Sequence, residues 1–262
     1  MTGKKDAVLR LENVTLRRTD SENVLEDISL EVYEGEILSV IGGSGAGKST
    51  LLHALAGLLA PVSGRITFRG KPLSGPTAAL GLVYQGYALF PWRTAIENVE
   101  FGLELKNIPR AARKQLGEEA LDLLGMLEHR DKYPIELSGG MQQRVAIARV
   151  IVNRPDVLML DEGFSALDVQ TRRSIEKQII RIQEELGITI ILVTHLVEQA
   201  LAISDRAVVI DRGKVGGIIE LDGKRPRDID DPEFRELLRR TETMIRPVQK
   251  MDRFVKDLKS IK

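Results

Sequence analysis

Residues Gly42-Gly43-Ser44-Gly45-Ala46-Gly47-Lys48-Ser49-Thr50 fit the pattern G-x-x-x-x-G-K-[ST] of a phosphate-cradling loop. Glycine lets the backbone wrap close to a phosphate, and a helix N-terminus offers free N–H groups and a positive dipole end. Lys48 supplies a point charge for β- and γ-phosphates, and the Ser49 hydroxyl is a ligand for Mg²⁺. The chemistry indicated is that of a nucleoside triphosphate. A second constellation is Asp161-Glu162, which ends the apolar run Val157-Leu158-Met159-Leu160. An acid delivered by a buried strand beside a P-loop is placed to hold Mg²⁺ through water, as in a Walker B motif. The next acid, Glu162, is then placed to take a proton from an attacking water.

These residues need particular elements to hold them. Ile37-Leu38-Ser39-Val40-Ile41 reads as a buried strand before the loop, and Leu51, Leu52, Leu55, Leu58 and Leu59 share a helical face after it. Upstream, Leu9 and Leu11, then Ile28, Leu30 and Val32, alternate with polar residues as in half-buried antiparallel strands. Arg65–Phe68 and Leu80–Tyr84 read as strands, the latter ending at Gln85. Val157–Leu160 and Ile188–Val193 are unbroken apolar runs, the signature of parallel strands buried on both faces, and Ala207–Ile210 adds another strand. Helices are expected over about 94–105, 109–127, 139–152 and 171–186, and the strand–helix alternation argues for a three-layer α/β body. Residues 86–137 lack strand signals and read as an inserted helical subdomain. In the charged tail, Asp231-Pro232 offers an N-cap followed by proline at the first helical position.

Composition narrows the classes. The chain has 262 residues, 38 basic against 38 acidic side chains, and 43% hydrophobic residues, enough for an ample core. Zero net charge gives no reason to expect nucleic acid as a partner. With no cysteine, a disulfide frame, a thiolate zinc site and a thiol nucleophile are all excluded. No apolar stretch approaches the roughly 20 residues that span a bilayer, and residues 1–6 lack the apolar core of a signal peptide. Any work at a membrane is therefore expected from the side that holds ATP.

Leu137-Ser138-Gly139-Gly140-Met141-Gln142-Gln143-Arg144 changes the class. Glycines opening a helix make a second anion site about ninety residues beyond the first. Here the chain resembles the nucleotide-binding subunits of ABC transporters, in which Leu-Ser-Gly-Gly is the signature motif. The resemblance covers roughly residues 8–215. It implies a P-loop NTPase (RecA-like) α/β body, with an N-terminal antiparallel β-subdomain and an inserted α-helical subdomain. The core would comprise 7–85 and 138–222, the helical subdomain 86–137, and a short helical tail 223–262. It implies ATP and Mg²⁺ as ligands, ATP lying on Gly42–Thr50, and Mg²⁺ served by Ser49, Gln85 and Asp161. Gln85 matches the Q-loop glutamine, Ser165-Ala166-Leu167-Asp168 the D-loop, and His195 the switch histidine. Catalysis would rest on Glu162, His195, Gln85 and Lys48. Ser138, Gly139, Gly140 and Asp168 would reach the ATP of a second copy in a head-to-tail dimer.

The sequence departs from the family at Met141, where glutamine is commonest, and at Leu196, where aspartate often follows the switch histidine. Where the family stacks an aromatic on adenine, this chain has Arg17-Arg18. A guanidinium plane can also stack on a base, so Arg18 either covers adenine or is an exposed strand end. Phe90-Pro91-Trp92 lies where the family meets its membrane partner, and core packing is the alternative use of those rings. With Arg225–Asp228 and Pro232–Phe234, it resembles the nitrate/sulfonate/taurine importer group. The implied partners are integral membrane permease subunits and, indirectly, a periplasmic or extracellular solute-binding protein. The implied place is the cytoplasmic face of the membrane, as a peripheral subunit. The alternatives are import of another small solute such as a pyrimidine precursor, a non-transport ATPase of the superfamily, and a P-loop kinase. A last apolar stripe, Val248, Met251, Val255 and Leu258, is flanked by lysines and an arginine. It either docks on its own subunit or touches the partner or an anionic membrane surface.

Overall fold

The computed structural model describes residues 6–19, 22–162 and 169–245. The D-loop residues 163–168 and the stripe at 248–258 therefore lie outside the described residues.

Two sheets form the body. In the first, β1 (Ala7–Thr19) pairs antiparallel with β2 (Glu22–Tyr33) on one side and with β4 (Ser63–Phe68) on the other. The two-residue strand β5 (Lys71–Pro72) closes the edge. The expected alternation is seen: Leu9, Leu11, Ile28, Leu30 and Val32 are all buried. The second sheet has β3 (Ile37–Gly42), β6 (Leu80–Val83), β7 (Val157–Asp161), β8 (Thr189–Thr194), β9 (Arg206–Asp211) and β10 (Lys214–Glu220). Its order is β10-β9-β3-β8-β7-β6, parallel except for the antiparallel edge strand β10. Every residue of β3, β7 and β8 is buried, which is why their apolar runs do not alternate.

The parallel sheet is covered on both faces. On one side Leu38, Val40, Met159, Ile191 and Val193 pack with the antiparallel sheet and with Leu51, Leu52 and Leu55 of α1 (Lys48–Leu55). On the other, Ile37, Ile41, Leu158, Leu160, Ile190 and Leu192 pack under α4 (Gly139–Ile151), α5 (Val169–Leu186) and α6 (Val197–Ile203). Residues 86–137 carry α2 (Ala95–Leu105) and α3 (Arg110–Leu123) and no strand. A reciprocal capping box starts α2: the Glu97 N–H donates to Thr94 Oγ1 at 3.4 Å, and the Thr94 N–H to Glu97 Oε2 at 2.8 Å. α3 stops at Leu123, short of the expected Leu127, because Gly125 takes a left-handed φ of 64° and Leu127–His129 tightens into a 3₁₀ turn. In the tail, Asp231 caps α7 (Pro232–Met244) by accepting from the Glu233 N–H at 3.0 Å.

Two sets of arginines tie these pieces together. Arg227 donates to the carbonyls of Leu201, Ser204, Leu221 and Asp222 at 2.6–3.0 Å, and Arg225 pairs with Asp205 at 2.8 Å. The second link is a buried ion pair between Arg206 of β9 and Glu36, 3.1 Å apart, with side chains 8% and 0% exposed. Arg206 also donates to the Glu31 carbonyl on β2 and lies 4.7 Å from the Tyr33 ring centre, so one guanidinium joins both sheets. Glu36→Ala leaves a buried cation with part of its shell gone. We expect a loss of about 3–5 kcal/mol in urea unfolding. The double variant Glu36→Met/Arg206→Met is expected to lose less, and an equal or larger loss would contradict this account.

Candidate nucleotide site

The glycine loop sits between β3 and α1, as its sequence context required. Gly42 ends β3 against β9, where an added Cβ would collide with the Ile210 carbonyl oxygen. Gly47 caps α1 at φ 100°, and a Cβ there would come within 2.7 Å of Leu25 Cδ2. Both positions need glycine, one for space and one for its backbone angle as well. Lys48 is 5% exposed, and its ammonium donates to the Gly42 and Gly43 carbonyls, each at 3.0 Å. The loop thus curls around the head of its own lysine.

The sheet brings the remaining residues to the same edge. Ile41 pairs with Thr194, Asp161 with Val193, and Val83 with Leu160. So β3, β6, β7 and β8 end level, and their next residues are the glycine loop, Tyr84-Gln85, Glu162 and His195. Ser49 Oγ donates to Asp161 Oδ1 at 3.0 Å. Burial pushes the Asp161 carboxyl up from its ordinary value, opposed by the Ser49 hydrogen bond and by the His53 and Lys48 charges. Glu162 turns left-handed, φ 45°, with its N–H donated to the Val193 carbonyl at 3.0 Å. Its carboxylate meets Lys48 Nζ at 3.5 Å and His195 Nδ1 at 3.7 Å, and accepts from Gln85 Nε2 at 3.3 Å. The Thr194 hydroxyl accepts from the Leu196 N–H at 3.1 Å and donates to Gln199 Oε1 at 3.2 Å. That fixes the turn carrying His195 despite leucine at position 196.

The donors fit Mg²⁺. Ser49 and Asp161 already touch, and Mg²⁺ keeps waters and substrate oxygens for its other positions rather than demanding a protein cage. Among the described residues no cluster of three or more histidine, cysteine or acidic side chains could hold a metal alone.

The other expected residues lie elsewhere. Ser138 caps α4, accepting from the Met141 N–H at 3.4 Å, and Ser138 and Gly139 are exposed while Gly140 is buried. Arg18 lies on β1, with nothing described of its side chain, and Asp168 is outside the described residues. Trp92 is 72% exposed, so it is not a core residue; the packing is done by Phe90, whose ring lies 4.7 Å from Phe101. A groove of about 490 Å³ beside it is lined by Tyr84, Ala88, Phe90, Phe101 and Arg149 among others. The sequence reading missed Arg149, which donates to the Tyr87 and Ala88 carbonyls just after the Q-loop glutamine.

A glycine loop and a nearly buried lysine facing an acid pair, a glutamine and a histidine at adjoining strand ends define a P-loop nucleoside triphosphatase. Comparison with known proteins narrows the class. The ABC transporter family matches residues 25–165. An uncharacterized ABC transporter ATP-binding protein of Methanocaldococcus jannaschii is 44% identical over 87% of each chain. The nitrate import ATP-binding protein NrtC of Synechococcus elongatus is 44% identical over 81% of this chain, which spans 34% of that longer protein. The taurine import ATP-binding protein TauB of Roseobacter denitrificans is 43% identical over 77% of each. An ATP-binding cassette solved as a dimer in a post-hydrolysis state with ADP and Pi superposes with a TM-score of 0.74, at 31% identity over 82% of this chain and 100% of that one. The chain belongs to the ABC transporter family, as one of its ATP-hydrolysing cassettes.

Asp161 has a testable cost. Its folded-state pKa is raised by burial, so its contribution to stability is full below the ordinary carboxylate range and is lost as pH rises through the shifted value. Without nucleotide, Asp161→Asn should melt at a higher temperature than the native chain at pH 8, with the gain vanishing as the pH is lowered toward 4. Thermal melts across that range check it; no gain at pH 8 would refute it.

Proposed function

We propose that this chain is the ATP-hydrolysing subunit of an importer for a small solute of the nitrate, sulfonate or taurine type. One observation carries the catalytic part: Lys48, Gln85 and His195 converge on the Glu162 carboxylate at the edge where Ser49 meets Asp161. The nitrate and taurine relatives supply the solute class. In this reading 7–85 with 138–222 is the ATP-binding core, 86–137 the helical subdomain, and 223–262 a C-terminal tail.

The backbone of Gly42, Gly43, Ser44, Gly45, Ala46, Gly47, Lys48, Ser49 and Thr50 wraps the phosphates, with Arg18 against the adenine. Mg²⁺, held by Ser49, Gln85 and Asp161, would neutralise charge on the phosphate oxygens. Glu162 takes a proton from water as its oxygen bonds to the γ-phosphorus, and the bridging P–O bond to ADP breaks. Lys48 and His195 bind the γ-phosphate oxygens on which charge gathers. A second copy closes head-to-tail, each giving Ser138, Gly139, Gly140 and Asp168 to the other's ATP. The exposure of Ser138 and Gly139 suits this.

Closure is read out by integral membrane permease subunits docked at the groove lined by Phe90 and Arg149, and a solute-binding protein outside supplies the cargo. The subunit is then peripheral, on the cytoplasmic face of the membrane. Among the described residues no helix is long and apolar enough to cross it.

Glu162→Gln should lower turnover by roughly 10²–10⁴ and accumulate an ATP-bound dimer on size exclusion, since a positioned general base contributes that much. Turnover near the native rate would remove Glu162 from the role. Arg18→Ala should weaken ATP binding and an aromatic there restore it; unchanged affinity in both would leave Arg18 a strand end. For transport, the complex captured from membranes through this subunit is reconstituted and its ATPase assayed with taurine, alkanesulfonates, nitrate, bicarbonate and pyrimidine precursors. Stimulation by one of them is expected. Steady ATPase from the subunit alone, with no membrane partner captured, would count for a non-transport role.

A further inference from the structure

Arg149 lies in the last turn of α4, eleven residues beyond Ser138 and so about 16 Å along the same helix. Its guanidinium leaves the helix and donates from Nη1 to the Ala88 carbonyl at 2.7 Å and from Nη2 to the Tyr87 carbonyl at 2.9 Å. Those two residues are unusual. Tyr87 has φ 58° and Ala88 φ 49°, two successive non-glycine residues in the left-handed region. Such residues are strained and persist only where surrounding structure holds them. The local bonds, Tyr87 N–H to the Tyr84 carbonyl and Ala88 N–H to the Gly86 carbonyl, come from the segment itself. From outside, Tyr87 and Leu89 pack on the core, and the polar hold on the backbone is the arginine fork, whose two parallel donors match two adjacent carbonyls as a lysine could not. The same guanidinium lies 5.6 Å from the centre of the Phe90 ring, and Phe90 lies 5.6 Å from Trp92. Asn98 separately fixes the Phe90 backbone, accepting from its N–H at 2.8 Å.

We infer that Arg149 is a positioning residue that ties the signature helix to the backbone just after Gln85. A displacement of the N-terminus of α4, where Ser138–Gly140 would meet a nucleotide, then reaches residues 87–88 and the adjoining groove. The helix transmits it as a rigid rod, and the fork converts it into a backbone change two residues from the glutamine that touches Glu162. This goes beyond the importer reading and needs neither a permease nor a solute.

The chain carries its own reporter. Trp92 is the sole tryptophan, exposed and with its ring tilted against Phe90. The full chain is titrated with the non-hydrolysable nucleotide Mg–AMP-PNP while Trp92 emission and its quenching by acrylamide are followed. Affinity is measured separately by displacement of a fluorescent ATP analogue. The native chain should show a nucleotide-dependent Trp92 signal. In Arg149→Ala that signal should fall at least fivefold, with affinity within about threefold of native. A residue with only a folding role would lower signal and affinity together. Full signal in Arg149→Ala, a joint loss of both, or a native signal that ignores nucleotide would each overturn the inference. Should Arg149→Ala fail to fold, Arg149→Lys decides: a signal at least halved supports the fork, and an unchanged one refutes it. Failure here would leave the importer reading standing, and failure of solute stimulation would leave this inference standing.

Discussion

The site depends on parallel strands ending level. Pairing of Ile41 with Thr194, Asp161 with Val193, and Leu160 with Val83 fixes four strand ends to within a residue of one another. An antiparallel sheet would send alternate ends to opposite edges. A parallel sheet collects all its C-terminal ends in one crevice, where ligands of open α/β sheets bind. Strand order then sets which side chains must be long. β8 lies between β3 and β7, so the loop after β3 and the acids after β7 stand two strand spacings apart, roughly 10 Å. Lys48 bridges part of that gap by its length, and the curl of the glycine loop closes the rest. The shorter Ser49 reaches Asp161 because it opens α1, which packs back across the sheet.

That geometry is held against its own electrostatics. Lys48 and Asp161 are nearly buried, and burial disfavours charge on both. The ammonium is held by two loop carbonyls and the more distant Glu162 carboxylate, and the Asp161 carboxylate by a serine hydroxyl. Neither is a full substitute for water. The site is thus preorganised for anionic oxygens and a cation at some cost in stability, as expected when activity and stability compete at one place. The left-handed backbone at Glu162 belongs to the same pattern: a residue ordinarily avoided there is kept where its carboxylate faces Lys48, Gln85 and His195.

What the sequence made legible were features with local causes. The glycine loop, the unbroken runs of β7 and β8, the cap at Asp231 and the helix opening at Thr94 each follow from residues close in the chain. What stayed hidden had distant causes or weak local ones. β10 carries Gly216-Gly217 in its middle, which lowers its strand signal, and it exists because β9 offers an edge to pair with. Seven-residue α6 has no side-chain cap, and packing over β3 and β8 sustains it. Arg149, Arg206 and Arg227 act on carbonyls or carboxylates far along the chain. Nothing in the neighbourhoods of Arg149 and Arg206 distinguishes them from solvated arginines. Trp92 misleads in the other direction: its aromaticity suggests a core, yet Phe90 takes that place and leaves it outside.

In the proposed head-to-tail dimer such a chain would supply half of each site. Ser138 spends its hydroxyl on its own helix, accepting from Met141, and Gly139 stands exposed without a side chain. Among the described residues no hydrogen bond joins Ser138–Gly140 to the glycine loop. An open helix start is an anion site without an anion donor in its own chain. The proposed dimer fills it with the phosphates held by a second glycine loop, and this constrains what α4 must be. A helix whose one end meets another subunit's nucleotide and whose other end grips the segment after Gln85 cannot be a passive support. Its interior is packed on both sides of that path: Val145, Ala146, Ile147 and Ala148 are fully buried. A rod so embedded has little freedom to bend, so movement at one end must appear at the other, where Arg149 holds two backbone carbonyls.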